Sequence, residues 1–156
     1  MPEQNKVSIE IPPEILDELE ESVKNISEKL KPYLIALTPE ERRAIPKMSD
    51  KSVPFVEKAL SYAEDSSEFT PVYLKVDEMK IDVKAVNDLN RIFKPITQIY
   101  SNLDDTIMYS GSEAFQSALS YYKSVKMAAD MDIPNAKTVY EDLSKRFANR
   151  SKKDKS

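Results

Sequence analysis

Asp104-Asp105 is the first pair whose type could do chemistry, since neighbouring carboxylates are the raw material of general acid–base work. On a helix, however, adjacent side chains point about 100° apart, so the two cannot share a proton. Measured from Tyr100, Asp104 falls beside an apolar stripe and Asp105 faces water. A half-buried Asp104, bonded to a helix end or a hydroxyl, is expected to be structural, because no base, nucleophile or oxyanion donor accompanies it. Ser120 and Lys123 reproduce the Ser-x-x-Lys spacing in which lysine activates serine, but the companion motifs are missing and the pair reads as solvent-face decoration. Asp130, Asp132 and Glu141 fall at positions 1, 3 and 12 of a calcium-loop count. Pro134 and Asn135 stand where a ligand and the turn glycine belong, and 136–147 reads helical, so a capped inter-helix turn is the better reading.

The residue types that are missing narrow the chemistry further. The 156-residue chain contains no His, Cys or Trp and a single Gly, against 10 Pro, 8 Tyr and 6 Met. Zero Cys excludes disulfides, thiol nucleophiles, iron–sulfur clusters and thiolate zinc sites. Zero His excludes a Ser-His-Asp relay, imidazole metal ligands and the Glu-x-x-His pairs of di-iron bundles. One Gly cannot build a dinucleotide fingerprint or a phosphate-cradling loop. The reading is therefore no catalytic residue, no metal and no cofactor: not an enzyme.

Charge and hydropathy set the class. The net charge is −4, with 11 acids against 7 bases in residues 1–50 and 8 against 9 in residues 101–156. The basic excess gathers at Lys145, Arg146, Arg150, Lys152, Lys153 and Lys155, where cations complement a helix C-terminus and then trail off. No basic face continues into the body, so nucleic acid is not an expected partner. No signal-peptide run and no stretch of 18 consecutive apolar residues is present, which points to a cytoplasmic protein with no membrane attachment. At this length one domain is expected, residues 1–148, followed by a basic and disordered tail at 149–156.

The elements that must position these residues read as helices. Pro12-Pro13-Glu14 starts one, whose stripe Leu16, Leu19, Val23, Ile26, Leu30, Tyr33, Leu37 alternates steps of three and four. Pro32 should kink it, with the period persisting to Leu37. Thr38-Pro39-Glu40-Glu41 is a capping box opening a short helix that Pro46 stops. Ser49 or Asp50 should cap a third, carrying Val53, Val56, Leu60 and Ala63 on one face. Phe69 to Val76 alternates and is rich in β-branched and aromatic residues, so an extended strap packed on helices is expected, with Val7, Ile9 and Ile11 as a weaker candidate for pairing with it. Asp77 should cap the longest pattern, with its seam at Val86, Leu89, Phe93, Ile96, Tyr100, Leu103 and Ile107. The spacing continues through Ala114, Ala118, Tyr121, Val125 and Ala128, but one helix from 78 to 130 would be about 80 Å long. Gly111 as a helix stop and Ser110…Glu113 as a new capping box place a hairpin at 109–113. A last amphipathic helix carries Ala136, Val139, Tyr140, Leu143 and Phe147. The fold class is all-α: an antiparallel helical bundle of about four main helices plus one or two short ones.

That hairpin would gather Asp104, Tyr109, Ser110, Gly111 and Glu113, which are the candidate binding residues. Around them Tyr100, Tyr121, Tyr122, Tyr140, Met108, Met127 and Met131 would serve as core, as an interface or as the lining of a ligand cavity. Two stretches carry a resemblance: Thr38-Pro39-Glu40-Glu41-Arg42-Arg43-Ala44-Ile45-Pro46-Lys47-Met48, and Leu103-Asp104-Asp105-Thr106-Ile107-Met108 through Gly111-Ser112-Glu113-Ala114 to Ser124-Val125-Lys126. They resemble segments of a family of small uncharacterised all-α bacterial proteins, over about Leu30 to Phe147. The resemblance implies a helical bundle in a bacterial cytoplasm and transfers no catalytic residue. The function expected from the sequence is a non-enzymatic protein-interaction or structural role, with a protein partner or self-association. The alternative is a carrier of a small apolar ligand held between helices that Pro32 and Pro95 spread apart.

Overall fold

The computed structural model describes residues 8–148 and is all-α, with no strand among the described residues. Five helices follow in order: α1 (Pro13–Leu30), α2 (Pro39–Ala44), α3 (Val53–Asp65), α4 (Val76–Asp130) and α5 (Ala136–Ala148), with short 3-10 turns at Lys31–Tyr33 and Ser67–Phe69. The chain divides into two units, residues 10–99 and residues 100–156 together with 1–9. The basic segment 149–156 lies outside the described residues, as does Val7.

In the unit of residues 10–99, Pro12 and Pro13 begin α1 where no N–H is required, and the Leu16 amide donates to the Pro12 carbonyl at 3.0 Å. Pro32 ends this helix instead of kinking it. Lacking an N–H, it tightens the chain into the turn Lys31–Tyr33, and Leu34 then leaves in extended conformation (φ −101°, ψ 143°). The capping box of α2 is formed as the spacing requires: the Glu41 amide donates to Thr38 Oγ1 at 3.2 Å and the Thr38 amide to Glu41 Oε2 at 2.8 Å. The start of α3 comes later than expected. Ser49 and Ser52 form a turn, with the Ser52 and Val53 amides both donating to the Ser49 carbonyl, and Pro54 occupies the first turn of the helix. The Phe69–Val76 segment does not pack as a strap: Val72 and Tyr73 are 105% and 88% exposed, and the Leu74 amide closes a turn onto the Pro71 carbonyl. Its alternation reflects prolyl and β-branched local preference with no neighbouring surface to bury it. Lys80 Nζ donates to Glu64 Oε1 at 2.5 Å, tying the end of α3 to the start of α4.

Gly111 does not break α4. The helix runs unbroken through Pro95 and Gly111 to Asp130, so the hairpin at 109–113 is replaced by continuous helix and the described residues form five α-helices. Gly111 has no positive φ, and a Cβ placed on it meets nothing within 4 Å. The chain instead reverses after Asp130. Asp132 (φ 53°) takes the left-handed conformation, its amide donates to the Ala129 carbonyl at 3.1 Å, and the Ile133 amide reaches back to Ala128 at 3.0 Å. These paired bonds are the Schellman closure, made by Asp where Gly is usual. Asn135 (φ 67°) then sets the entry to α5.

In the unit of residues 100–156, α5 folds back antiparallel to the end of α4. Tyr122 stacks on Tyr140 with ring centroids 5.4 Å apart and meets Phe147 at 5.1 Å, while the Arg146 guanidinium lies 5.5 Å from the Phe115 ring centre. Val125 and Ala136 are the buried residues of this unit among those described. With Leu60 in the other unit, these are the buried apolar residues among those described, and none of the three is completely enclosed.

Candidate functional site

The five residues gathered by the expected hairpin are spread around the girth of α4. At about 100° per residue, Asp104 and Gly111 share one flank and Glu113 lies on the opposite one, with Tyr109 beside it and Ser110 between. Asp104 and Gly111 are exposed; Tyr109, Ser110 and Glu113 are half-buried. Asp104, expected to be half-buried, stands in water beside Asp105. Straight helix therefore separates what a reversal would have brought together. Ser120 and Lys123 are exposed, as decoration of a solvent face should be. Among the described residues no three carboxylates converge. The tyrosines and methionines divide: Tyr122 and Tyr140 pack together, whereas Tyr100, Tyr121, Met108, Met127 and Met131 remain exposed.

An apolar concavity lies elsewhere, in the unit of residues 10–99. The end of α1 and the first third of α4 face each other across an apolar groove of about 650 Å³ lined by Ile26, Lys29, Leu30 and Tyr33 on one side and Ala85, Asp88, Leu89 and Ile92 on the other. A second hollow of about 490 Å³ adjoins it through Leu30, Leu89 and Ile92 and extends it along Leu34, Val86, Asn90, Phe93 and Ile96. Val86, Leu89, Phe93 and Ile96 are consecutive positions of the α4 seam, and Ile26 and Leu30 belong to the α1 stripe. The seams were legible; the gap between them was not. Its cause is Pro32, which stops α1 and turns Leu34 over the α4 face. A third, polar hollow of about 470 Å³ sits on the other flank of α4, between Asp50 and Val53 and the residues Asn87, Asn90, Arg91 and Lys94.

Electrostatics bear on the rim and not on the floor. Lys84 hydrogen-bonds Asp88 and holds its carboxyl below the usual carboxylate range. The Glu64 carboxylate accepts a hydrogen bond from Lys80 and raises that ammonium above the ordinary lysine value. In the other unit the Tyr140 hydroxyl, then partial desolvation, raise Tyr122. None of these groups stands beside a nucleophile or an oxyanion donor. What the groove offers is an apolar surface with a charged edge, suited to holding an apolar face of something else.

Among the described residues no helix is long and apolar enough to cross a membrane. No protein-family model matches the chain, and no curated protein or solved structure shows significant similarity to it.

Proposed function

We propose that this protein has a non-enzymatic structural or interaction role and completes its hydrophobic core by self-association through the apolar faces of α1 and α4, as a helical bundle of the bacterial cytoplasm. The observation that carries this reading is the exposure of a regular seam. Leu16, Leu19, Val23 and Ile26 on α1, and Phe93, Ile96, Tyr100, Leu103 and Ile107 on α4, keep a spacing of three and four residues and yet are 38–69% exposed. Scattered exposed apolar residues are ordinary, but a contiguous stripe at heptad spacing is the surface that helices bury against one another. The antiparallel bundle expected from the sequence then forms between copies.

A second reading is favoured by the groove itself, whose size and apolar lining suit a small hydrophobic ligand. Native mass spectrometry of the freshly purified protein separates the two. A multiple of the 17.8 kDa chain mass without added mass supports self-association. A monomer carrying a bound apolar molecule overturns it in favour of the carrier, and a bare monomer overturns both.

A further inference from the structure

Asn87, Asn90, Arg91 and Lys94 follow one another along α4 at intervals of three, one and three residues, which sets all four on one face of the helix. They form one wall of the polar hollow of about 470 Å³ in the unit of residues 10–99; Asp50 and Val53, the first residue of α3, form the other. Asp50 is held in place by the turn in which the Ser52 and Val53 amides donate to the Ser49 carbonyl at 2.8 and 3.2 Å. Among the described residues, none of the five polar side chains in this lining takes part in a hydrogen bond or an ion pair. Asp88, the nearest other carboxylate on α4, is taken by Lys84, and Arg91 acts on it only at a distance.

This arrangement suits an anion. Two cations three residues apart on one helix face repel each other, and Asp50 across the hollow forms an ion pair with neither. Two cations against one carboxylate leave a local positive excess in a chain whose net charge is −4. We propose that the hollow binds a phosphate monoester of a small hydroxylated molecule, a polyol or sugar phosphate. Arg91 and Lys94 hold the phosphate oxygens, the Asn87 and Asn90 carboxamides donate to the phosphate or its ester oxygen, and Asp50 accepts from a hydroxyl of the body.

The donor set decides between anions. A phosphate monoester carries about two negative charges at neutral pH and three terminal oxygens, enough to engage the Arg91 fork and the Lys94 ammonium together. A single carboxylate has two oxygens and one charge, and would leave one cation unrelieved. The body follows from the remaining lining. Val53 is its one apolar residue, so an acyl chain or an aromatic ring finds no matching wall, whereas Asp50 and the carboxamides match hydroxyls. The volume lies within the range of small-molecule sites, about 300–1,000 Å³, and leaves room for such a body beside the phosphate. The inference goes beyond the self-association proposed above and does not depend on it: the hollow shares Asn90 with the apolar groove and no other lining residue.

Amide NMR of the full chain, titrated in phosphate-free buffer at constant ionic strength, tests this. The probes are glycerol phosphate, inorganic phosphate, glycerol and succinate. Glycerol phosphate is expected to shift the amides of residues 50–53 and 87–94 saturably, inorganic phosphate to shift the same amides with weaker affinity, and glycerol to shift none. Arg91→Gln and Lys94→Gln should each weaken glycerol phosphate by about tenfold or more, as the loss of a charge-assisted hydrogen bond does. Both side chains are exposed and unpaired, so the circular dichroism of these variants should be unchanged. Asp50→Asn should tighten inorganic phosphate by removing the opposing charge, yet lose the advantage that glycerol phosphate holds over it. Succinate binding as tightly as glycerol phosphate would overturn the phosphate and leave a general anion site. Shifts spread equally over other lysines, such as Lys47 and Lys58, or affinity unchanged in both cation variants, would overturn the site itself.

Discussion

Replacing Gly111 by Ala tests whether α4 is one helix, and the sign of the effect decides it. In the interior of a helix, Gly is less favourable than Ala by about 0.8–1.0 kcal/mol, mostly through the backbone freedom it surrenders on folding. Nothing in the structure opposes the added methyl: it meets no atom within 4 Å, and Gly111 has no positive φ to strain. The substitution should therefore stabilise the protein by about 0.5–1 kcal/mol, which for a chain of this size raises Tm by roughly 2–4 °C. Urea unfolding followed by circular dichroism, at one fixed protein concentration, should show a higher midpoint with an unchanged slope. Were Gly111 instead the left-handed residue of a hairpin, Ala there would cost about 1–2 kcal/mol. A loss of stability on Gly111→Ala refutes the continuous helix. The converse arm is Asp132→Gly: Asp132 holds the left-handed position of the Schellman turn, so glycine relieves strain there and should not destabilise.

The polar contacts give two further expected outcomes. Lys80 carries a raised pKa because of Glu64, so this pair stabilises the fold fully below the ordinary lysine value near 10.5 and loses its effect as pH rises through the raised one. Glu64→Gln should therefore lower stability at pH 7 and 9, and the gap to the unmodified protein should close on further alkalisation; a gap constant at every pH would refute the pairing. Tyr140→Phe keeps the ring stack on Tyr122 but removes the hydroxyl that raises it, so spectrophotometric titration should lose its latest-ionising tyrosine. A late-ionising tyrosine that persists in the variant would show that burial alone raises Tyr122.

Local signals in the sequence were decisive wherever the chemistry is local. The Thr38–Glu41 capping box, the prolines that open α1, α2 and α3, and the turn at Asp132–Pro134 depend only on neighbours a few residues away. The seams of α1 and α4 were legible for the same reason, since heptad spacing needs no knowledge of the partner. Two inferences failed where one residue type has two uses. Glycine marks a helix end only when the backbone needs a left-handed residue, and here Asp132 and Asn135 supply those conformations while Gly111 sits within α4. Proline kinks a helix or stops it according to whether the residues after it stay helical: the turn at Lys31–Tyr33 stops α1, while Pro95 stays inside α4. The candidate site moved accordingly: with no reversal at Gly111, Asp104 and Glu113 point apart, and the concavity forms where Pro32 ends a helix.

The persistence of α4 is itself an argument for a covered face. Pro in a helix interior costs about 3 kcal/mol and Gly about 1, so Pro95 and Gly111 together burden this one helix by about 4 kcal/mol. Thr97 and Thr106 hydroxyls donate back to the Phe93 and Asn102 carbonyls, contacts that satisfy backbone acceptors without burying apolar surface. The packing of α5 on Tyr122 and Val125 supports only the C-terminal end of α4, and the Lys80–Glu64 pair only its beginning. Between them, from Leu89 to Ile107, no described residue is buried, although this is where the seam is most regular and where Pro95 falls. Propensity alone cannot hold a proline there, since helical stability in proteins comes chiefly from packing an apolar face. Self-association through the exposed seam, as proposed, would cover this stretch. The weakest part of the helix and its most exposed seam coincide, as the proposed self-association requires.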